Sequence, residues 1–184
     1  METSEQRDKA QTAMVLAWPA PLRSDDTRFD LAMLAGVASG LGGRFFEELR
    51  DKQSLCYTVH ATASERRAAG TFHTYIATSP EKEMAARQGL LHEIEKLRDA
   101  PVTAEELERA KTYAIGMHQI RQQSGGAVLG EIVDAWMFGA LRELDEFPSR
   151  VRAVTTTAIR DTARKYLDPD RRVEGIVRGM PKTV

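Results

Sequence analysis

Four histidines (His60, His73, His92 and His118) and one cysteine, Cys56, are the side chains best suited to hold a metal or to attack a substrate. H-E-x-x-H, or its inverse H-x-x-E-H, sets two zinc ligands on one helical face, and none of these histidines stands in either pattern. His60 and His73 fall on adjacent expected strands, where one register brings them together and a one-residue slip sends them to opposite faces. The ordinary reading of all four is as surface or hydrogen-bonded imidazoles. Cys56 sits between Leu55 and Tyr57 at a strand entrance, with no helix terminus or histidine beside it to lower its pKa, and reads as a small core filler. Gly40-Leu41-Gly42-Gly43 follows a helical pattern rather than a strand. It has Phe45 where a dinucleotide fingerprint needs glycine and lacks the lysine and hydroxyl of a phosphate loop. No G-x-S-x-G elbow occurs. Glu65-Arg66-Arg67 and Glu105-Glu106 read as a solvated turn and a favourable helix start. By residue chemistry alone the chain is not a self-sufficient enzyme and holds no metal or cofactor site.

Residues 10–18 form a short apolar run that ends at Pro19-Ala20-Pro21, as a strand does where proline removes ladder donors. Ser24 and Asp25 offer caps to a helix carrying Phe29, Leu31, Leu34 and Val37. Gly40, Gly42 and Gly43 bend that helix into a second one carrying Phe45, Phe46 and Leu49. Residues 57–64 alternate, Tyr57, Val59, Ala61 and Ala63 against Thr58, His60, Thr62 and Ser64, and residues 71–77 alternate again after a polar turn, which predicts a hairpin. Ser79-Pro80 opens a helix with Met84, Leu91, Ile94 and Leu97 on its apolar face. Thr103 and Glu106 have capping-box spacing ahead of Leu107, Ala110, Ala114 and Met117. Further helices are expected over 127–138 and 155–167, with a short helical connection over 144–154 split by Pro148 and a last strand over 173–178. The fold class is α+β, with a mixed, mainly antiparallel sheet packed against several helices.

Of the 184 residues, 42% are hydrophobic and 29% charged, enough for one core of ordinary size. The formal net charge is −1 with both signs interleaved, so no basic face exists to bind nucleic acid. No run approaches the ~20 apolar residues of a membrane-spanning helix, and residues 1–9 are polar where a secretory signal would turn apolar. The expected character is soluble, cytoplasmic or periplasmic. A single cysteine rules out an internal disulfide.

The stretch Gly42-Gly43-Arg44-Phe45-Phe46-Glu47-Glu48-Leu49-Arg50-Asp51-Lys52-Gln53-Ser54-Leu55-Cys56-Tyr57 resembles a segment of the insulinase/pitrilysin-type zinc metallopeptidases, in their later domain that does not bind metal. Residues 103–111 and 147–170 fit the same pattern, so the resemblance spans nearly the whole chain. Residues 1–184 then read as a single C-terminal-type domain, a fragment of a longer chain or one subunit of a pair. The resemblance implies an α+β half-chamber and a partner, a domain or subunit that binds zinc through H-x-x-E-H; a dimer is among the assemblies it allows. It also implies a peptide substrate, and an Arg and a Tyr that hold the peptide near the scissile bond; these correspond here to Arg50 and Tyr57. Two positions depart from the pattern: Ser54 stands where glycine is usual, which disfavours a positive φ, and Phe45 replaces leucine.

Arg50 is expected to end a helix and Tyr57 to start a strand, so the connection between them can bring both tips to one rim. A phenol donor and a fixed cation suit an oxyanion, with Arg50 clamping a substrate carbonyl or orienting Tyr57. Without the resemblance, the same residues read as a cation at a helix C-terminus and a core-edge tyrosine. The resemblance also admits a non-proteolytic structural subunit, like the core proteins of the respiratory chain. An independent peptide-binding module is a third reading.

Overall fold

The strand Thr12–Ala20 places Met14, Leu16 and Trp18 on one face, all buried, and forms the middle of a five-stranded sheet. In a computed structural model that describes residues 1–40 and 42–180, the strands are β1 (Glu2–Gln6), β2 (Thr12–Ala20), β3 (Thr58–Glu65), β4 (Gly70–Thr78) and β5 (Val173–Arg178). Their order across the sheet is β1-β5-β2-β4-β3. β1 runs parallel to β5, and every other pairing is antiparallel, giving the mixed, mainly antiparallel sheet expected.

The period of two sorts the strand residues cleanly. Met14, Leu16, Trp18, Val59, Ala61, Phe72, Ile76 and Ile176 are buried, while Val15, His60, Thr62 and Val177 on the opposite face are exposed. The helices therefore cover one face. They are α1 (Thr27–Ser39), α2 (Glu83–Asp99), α3 (Ala104–Arg121), α4 (Gly125–Met137), α5 (Glu143–Ala153) and α6 (Thr156–Tyr166). Leu31 and Leu34 of α1, Leu90 and Leu97 of α2 and Ile159 of α6 fill the space over Trp18, Phe72 and Ile76 as one core.

Several starts follow from local chemistry. Asp25 accepts from the Thr27 amide at 2.9 Å ahead of α1, and Thr155 accepts from the Ala158 amide at 3.1 Å to cap α6. Thr103 and Glu106 form the expected reciprocal capping box. After α1, Gly42 takes φ +69, and a Cβ on Gly43 would lie 2.9 Å from the Ala38 carbonyl oxygen, so the glycines serve a tight bend.

Four features depart from the sequence reading. β1 was not expected, because all five of its residues are polar and exposed and carry no alternation; it exists by edge pairing with β5. Pro148 does not split the 144–154 segment, which is one helix with the proline inside it; the lost backbone hydrogen bond is tolerated beside buried Val151 and the Arg150–Asp26 ion pair at 2.6 Å. Met84 is exposed, since α2 turns Ala86, Leu90, Ile94 and Leu97 inward instead. The helical stretch after the glycines is π-helical, Phe46–Lys52, and not a second α-helix.

Just ahead of that π-helical stretch, Arg44 ties the chain to α3 through an ion pair with Glu106. The Arg44 guanidinium donates through Nε and Nη2 to the two Glu106 oxygens, the latter at 2.8 Å, and Thr103 donates to the same carboxylate. Arg44, then desolvation in the opposing sense and the Thr103 donors, leave the Glu106 carboxyl with a pKa of about 2 against an ordinary 4.5. Because the folded pKa is the lower one, the pair's stabilisation is complete above pH 4.5 and is lost as the pH falls through about 2. Glu106→Gln should therefore lower unfolding free energy by about 1–3 kcal/mol at pH 7 in urea titrations. The difference from the parent protein should shrink as the pH falls below 4.5.

Candidate functional site

Phe45 and Leu49 are fully buried and fasten the π-helical stretch to the core, so Phe46 and Arg50 face outward. Residues four apart on a helix are neighbours, and the Arg50 guanidinium carbon lies 4.3 Å from the centre of the Phe46 ring. Helix and strand are joined by residues 53–57. Ser54 has φ +51, the left-handed conformation that the departure from glycine disfavoured. The Ser54 amide donates to the Arg50 carbonyl at 2.9 Å and the Leu55 amide to the Leu49 carbonyl at 2.8 Å. This is a Schellman-type cap made one residue wider, as π-helical bonding requires.

Three more anchors hold the joint. Lys82 Nζ donates to the Ser54 carbonyl at 2.7 Å, Thr78 Oγ1 donates to the Leu55 carbonyl at 2.6 Å, and Leu55 and Cys56 are buried. Burial raises the Cys56 thiol pKa, as suits a core filler. The joint delivers Tyr57 to the residue before β3, with 73% of its surface exposed and its ring centre 5.0 Å from the Arg50 guanidinium carbon. Arg50 thus lies against two aromatic faces, Phe46 and Tyr57.

Charge is arranged to leave Arg50 free. The nearby carboxylates Glu47 and Glu48 are both held by Lys52 Nζ, at 2.9 and 2.7 Å. Those two partners raise the Lys52 pKa, and Lys52 in turn lowers that of Glu48. Among the described residues Arg50 has no carboxylate within ion-pair distance and its side chain makes no hydrogen bond. A guanidinium without an anion, held by ring faces, presents planar donors to a carbonyl or carboxylate.

The sequence-derived pair is therefore brought together at one rim. Sequence reasoning set Phe46 with Phe45 and Leu49 on an apolar face; its four-residue spacing from Arg50 was the signal that it stacks there instead. The histidines stay apart in function. His60 and His73 share the exposed sheet face but pair with Tyr75 and Thr62 respectively, and His60 stacks on Tyr75 at 5.1 Å. Desolvation, then the neighbouring His73, lower the His60 pKa. Among the described residues no three His, Cys, Asp or Glu side chains come together in a way that would hold a metal ion, so the residues present do not fit a zinc centre. Clefts of about 510 and 760 Å³ lie along α1 and α3, and neither is lined by Arg50 or Tyr57. The pair stands on an open rim.

The α+β domain, with one sheet face covered by helices, has the architecture of solved peptidase inactive domains. The chain belongs to the Peptidase M16 inactive domain family, whose model matches residues 2–113. It is 24% identical over 163 residues to an uncharacterized zinc protease of Streptomyces coelicolor, covering 88% of this chain and 36% of that protein. A solved Helicobacter pylori protease shares the fold with TM-score 0.89 at 16% identity, over 96% of this chain and 43% of the other. The inactive peptidase domain of a zinc-protease relative from Bordetella parapertussis matches with TM-score 0.84 at 21% identity, over 98% and 97% of the two chains. The chain thus spans well under half the length of the Streptomyces relative.

The left-handed Ser54 makes a local prediction. Ser54→Gly should leave stability unchanged or raise it by up to about 1 kcal/mol, because glycine takes positive φ without a Cβ clash. Ser54→Val should lower it by about 1–2 kcal/mol. Thermal unfolding of the two variants against the parent protein checks the order; a valine variant as stable as the glycine one would contradict the strained joint.

Proposed function

We propose that this chain is the substrate-holding, non-zinc half of a zinc metalloendopeptidase, with Arg50 and Tyr57 gripping peptide backbone beside the scissile bond. The observation that carries the reading is the Arg50 guanidinium, stacked on Phe46 and Tyr57 and left without a carboxylate among the described residues. Arg50 donates to a substrate carbonyl while the two rings limit its rotamers. The exposed Tyr57 hydroxyl donates to the scissile carbonyl oxygen as negative charge develops there. Activation of the attacking water is assigned to a companion domain with H-x-x-E-H, and the isolated chain has no turnover of its own. Short or unfolded peptides suit an open rim better than an enclosed pocket would. A ferredoxin protease solved with Arabidopsis ferredoxin shares the fold, with TM-score 0.75 at 13% identity over 97% of this chain and 20% of that one, which supports a polypeptide as the substrate class.

A second reading is a non-proteolytic structural subunit, and one likeness favours it. A chain of respiratory complex III from Candida albicans has the same fold, with TM-score 0.83 at 12% identity over 96% of this chain. A companion domain lacking H-x-x-E-H would favour this reading.

Joined to its zinc-bearing companion, the protein should cleave an unfolded peptide, and Tyr57→Phe should lower kcat about 100-fold with little change in KM. Arg50→Met should raise KM as well as lower kcat, because it removes ground-state contacts too. Undiminished turnover by Tyr57→Phe would remove the phenol from the mechanism.

A further inference from the structure

α4 is the most apolar of the helices and the least buried: only Ala135 is enclosed. Leu129, Ile132, Val133 and Trp136, spaced i, i+3, i+4 and i+7, form one outward stripe, 62%, 42%, 45% and 70% exposed, and Met137 extends it. The helix's charges point the other way. Asp134 takes Arg23 Nη2 at 3.2 Å, and Glu131 lies 3.6 Å from His118, both over the 760 Å³ cleft that separates α4 from α1 and α3. A helix on a finished surface puts its charges outward and its apolar stripe inward. α4 does the reverse.

An exposed stripe of this size marks a contact surface. Its occupant follows from three observations. The polar side of α4 carries Glu131 and Asp134 and no lysine or arginine, whereas a helix that lies on an anionic lipid surface has a basic polar face. The chain spans 36% of the length of the Streptomyces zinc protease, so most of that relative lies outside the region of similarity. Specific interfaces bury about 800 Å² on each partner, and an uncharged stripe of four large side chains with Met137 at its end gives such an interface its core.

We propose that the outward stripe of α4 is the seat of the companion zinc-bearing domain, whose matching surface is apolar and closes over Trp136. This rests on the reading that the chain works with such a domain, and adds where the two meet. Trp136, the most exposed member, becomes an anchor of the contact, where aromatic side chains concentrate binding energy. The inward Asp134–Arg23 pair and the Glu131–His118 contact tie α4 to its neighbours while its apolar side stays open for the partner.

The test uses photo-crosslinking in the cells that encode the protein, with benzoylphenylalanine placed at Ile132 in one variant and at Gln53, on the Arg50 rim, in another. Mass spectrometry should find the Ile132 probe joined to a peptide from a domain that carries H-x-x-E-H. If the Ile132 probe joins a second copy of this chain, a lipid or nothing, while the Gln53 probe reaches an H-x-x-E-H domain, the surface assignment is overturned and the pairing stands. If neither probe reaches such a domain, both fall. Ile132→Glu with Trp136→Glu supplies the companion measurement. Its unfolding midpoint should stay within about 2 °C of the parent, since neither side chain is enclosed. The crosslink from the Gln53 probe should fall at least about 10-fold. A crosslink yield unchanged by both glutamates would also overturn the assignment.

Discussion

The turn from the π-helix Phe46–Lys52 into β3 is the constraint on which the rim depends. Leu49 is buried beneath it and Leu55 and Cys56 are buried beyond it, so the chain must reverse between two fixed points with almost no slack. A left-handed residue solves this by letting two successive amides cap the carbonyls of Leu49 and Arg50. Ser54 fills that role in place of glycine, and the ammonium of Lys82 and the hydroxyl of Thr78 fix the carbonyls of Ser54 and Leu55. Strain of order 1–2 kcal/mol at one residue persists only where surrounding structure over-determines it, and here four hydrogen bonds do so. Displacing the joint would separate Arg50 from Tyr57.

Electrostatics and packing cooperate around that joint. Arg44 pairs with Glu106, and Glu47 and Glu48 share Lys52, while Arg50 has ring faces. Cation–π contacts of about 0.5–1 kcal/mol at exposed sites orient a guanidinium without saturating its donors. A carboxylate partner would bind it more tightly and occupy those donors. The π-helical geometry belongs to the same arrangement, because such turns are uncommon and recur where side chains must be aimed.

How much of this is legible in the sequence depends on how local the cause is. The β3–β4 hairpin, the capping box at Thr103 and the strand Val173–Arg178 rest on period-two alternation or on side chains within one turn, and their outlines can be read directly. β1 could not be read, since its pairing partner is far away in sequence and its own residues carry no apolar pattern. The rotation of α2 that exposes Met84 is set by which residues meet the sheet and α6, a tertiary choice that periodicity leaves open by about one position. Arg50 and Tyr57 stand out only through the resemblance; their residue types alone favour a helix-end cation and a core-edge tyrosine. What the sequence hid was Phe46, whose placement depends on a π turn that composition does not announce.

α4 sharpens the point, because there the pattern was read correctly as a helix and its meaning lay in its orientation. An amphipathic stripe says that one side of a helix is destined for burial, and it does not say against what. In the folded chain the buried-type side faces outward, while Glu131 and Asp134 face His118 and Arg23 over an open cleft. Rotating α4 to hide Trp136 would draw Glu131 away from the His118 ring and Asp134 away from Arg23, which is itself mostly enclosed and also held by Glu143 at 2.7 Å. Arg23 would keep Glu143 and the Asp134 side chain is half exposed, so the lost contact costs only about 0.2–1 kcal/mol. In this arrangement the apolar stripe of α4 faces outward while its carboxylates face the cleft, and among the described residues no side chain encloses Leu129 or Trp136.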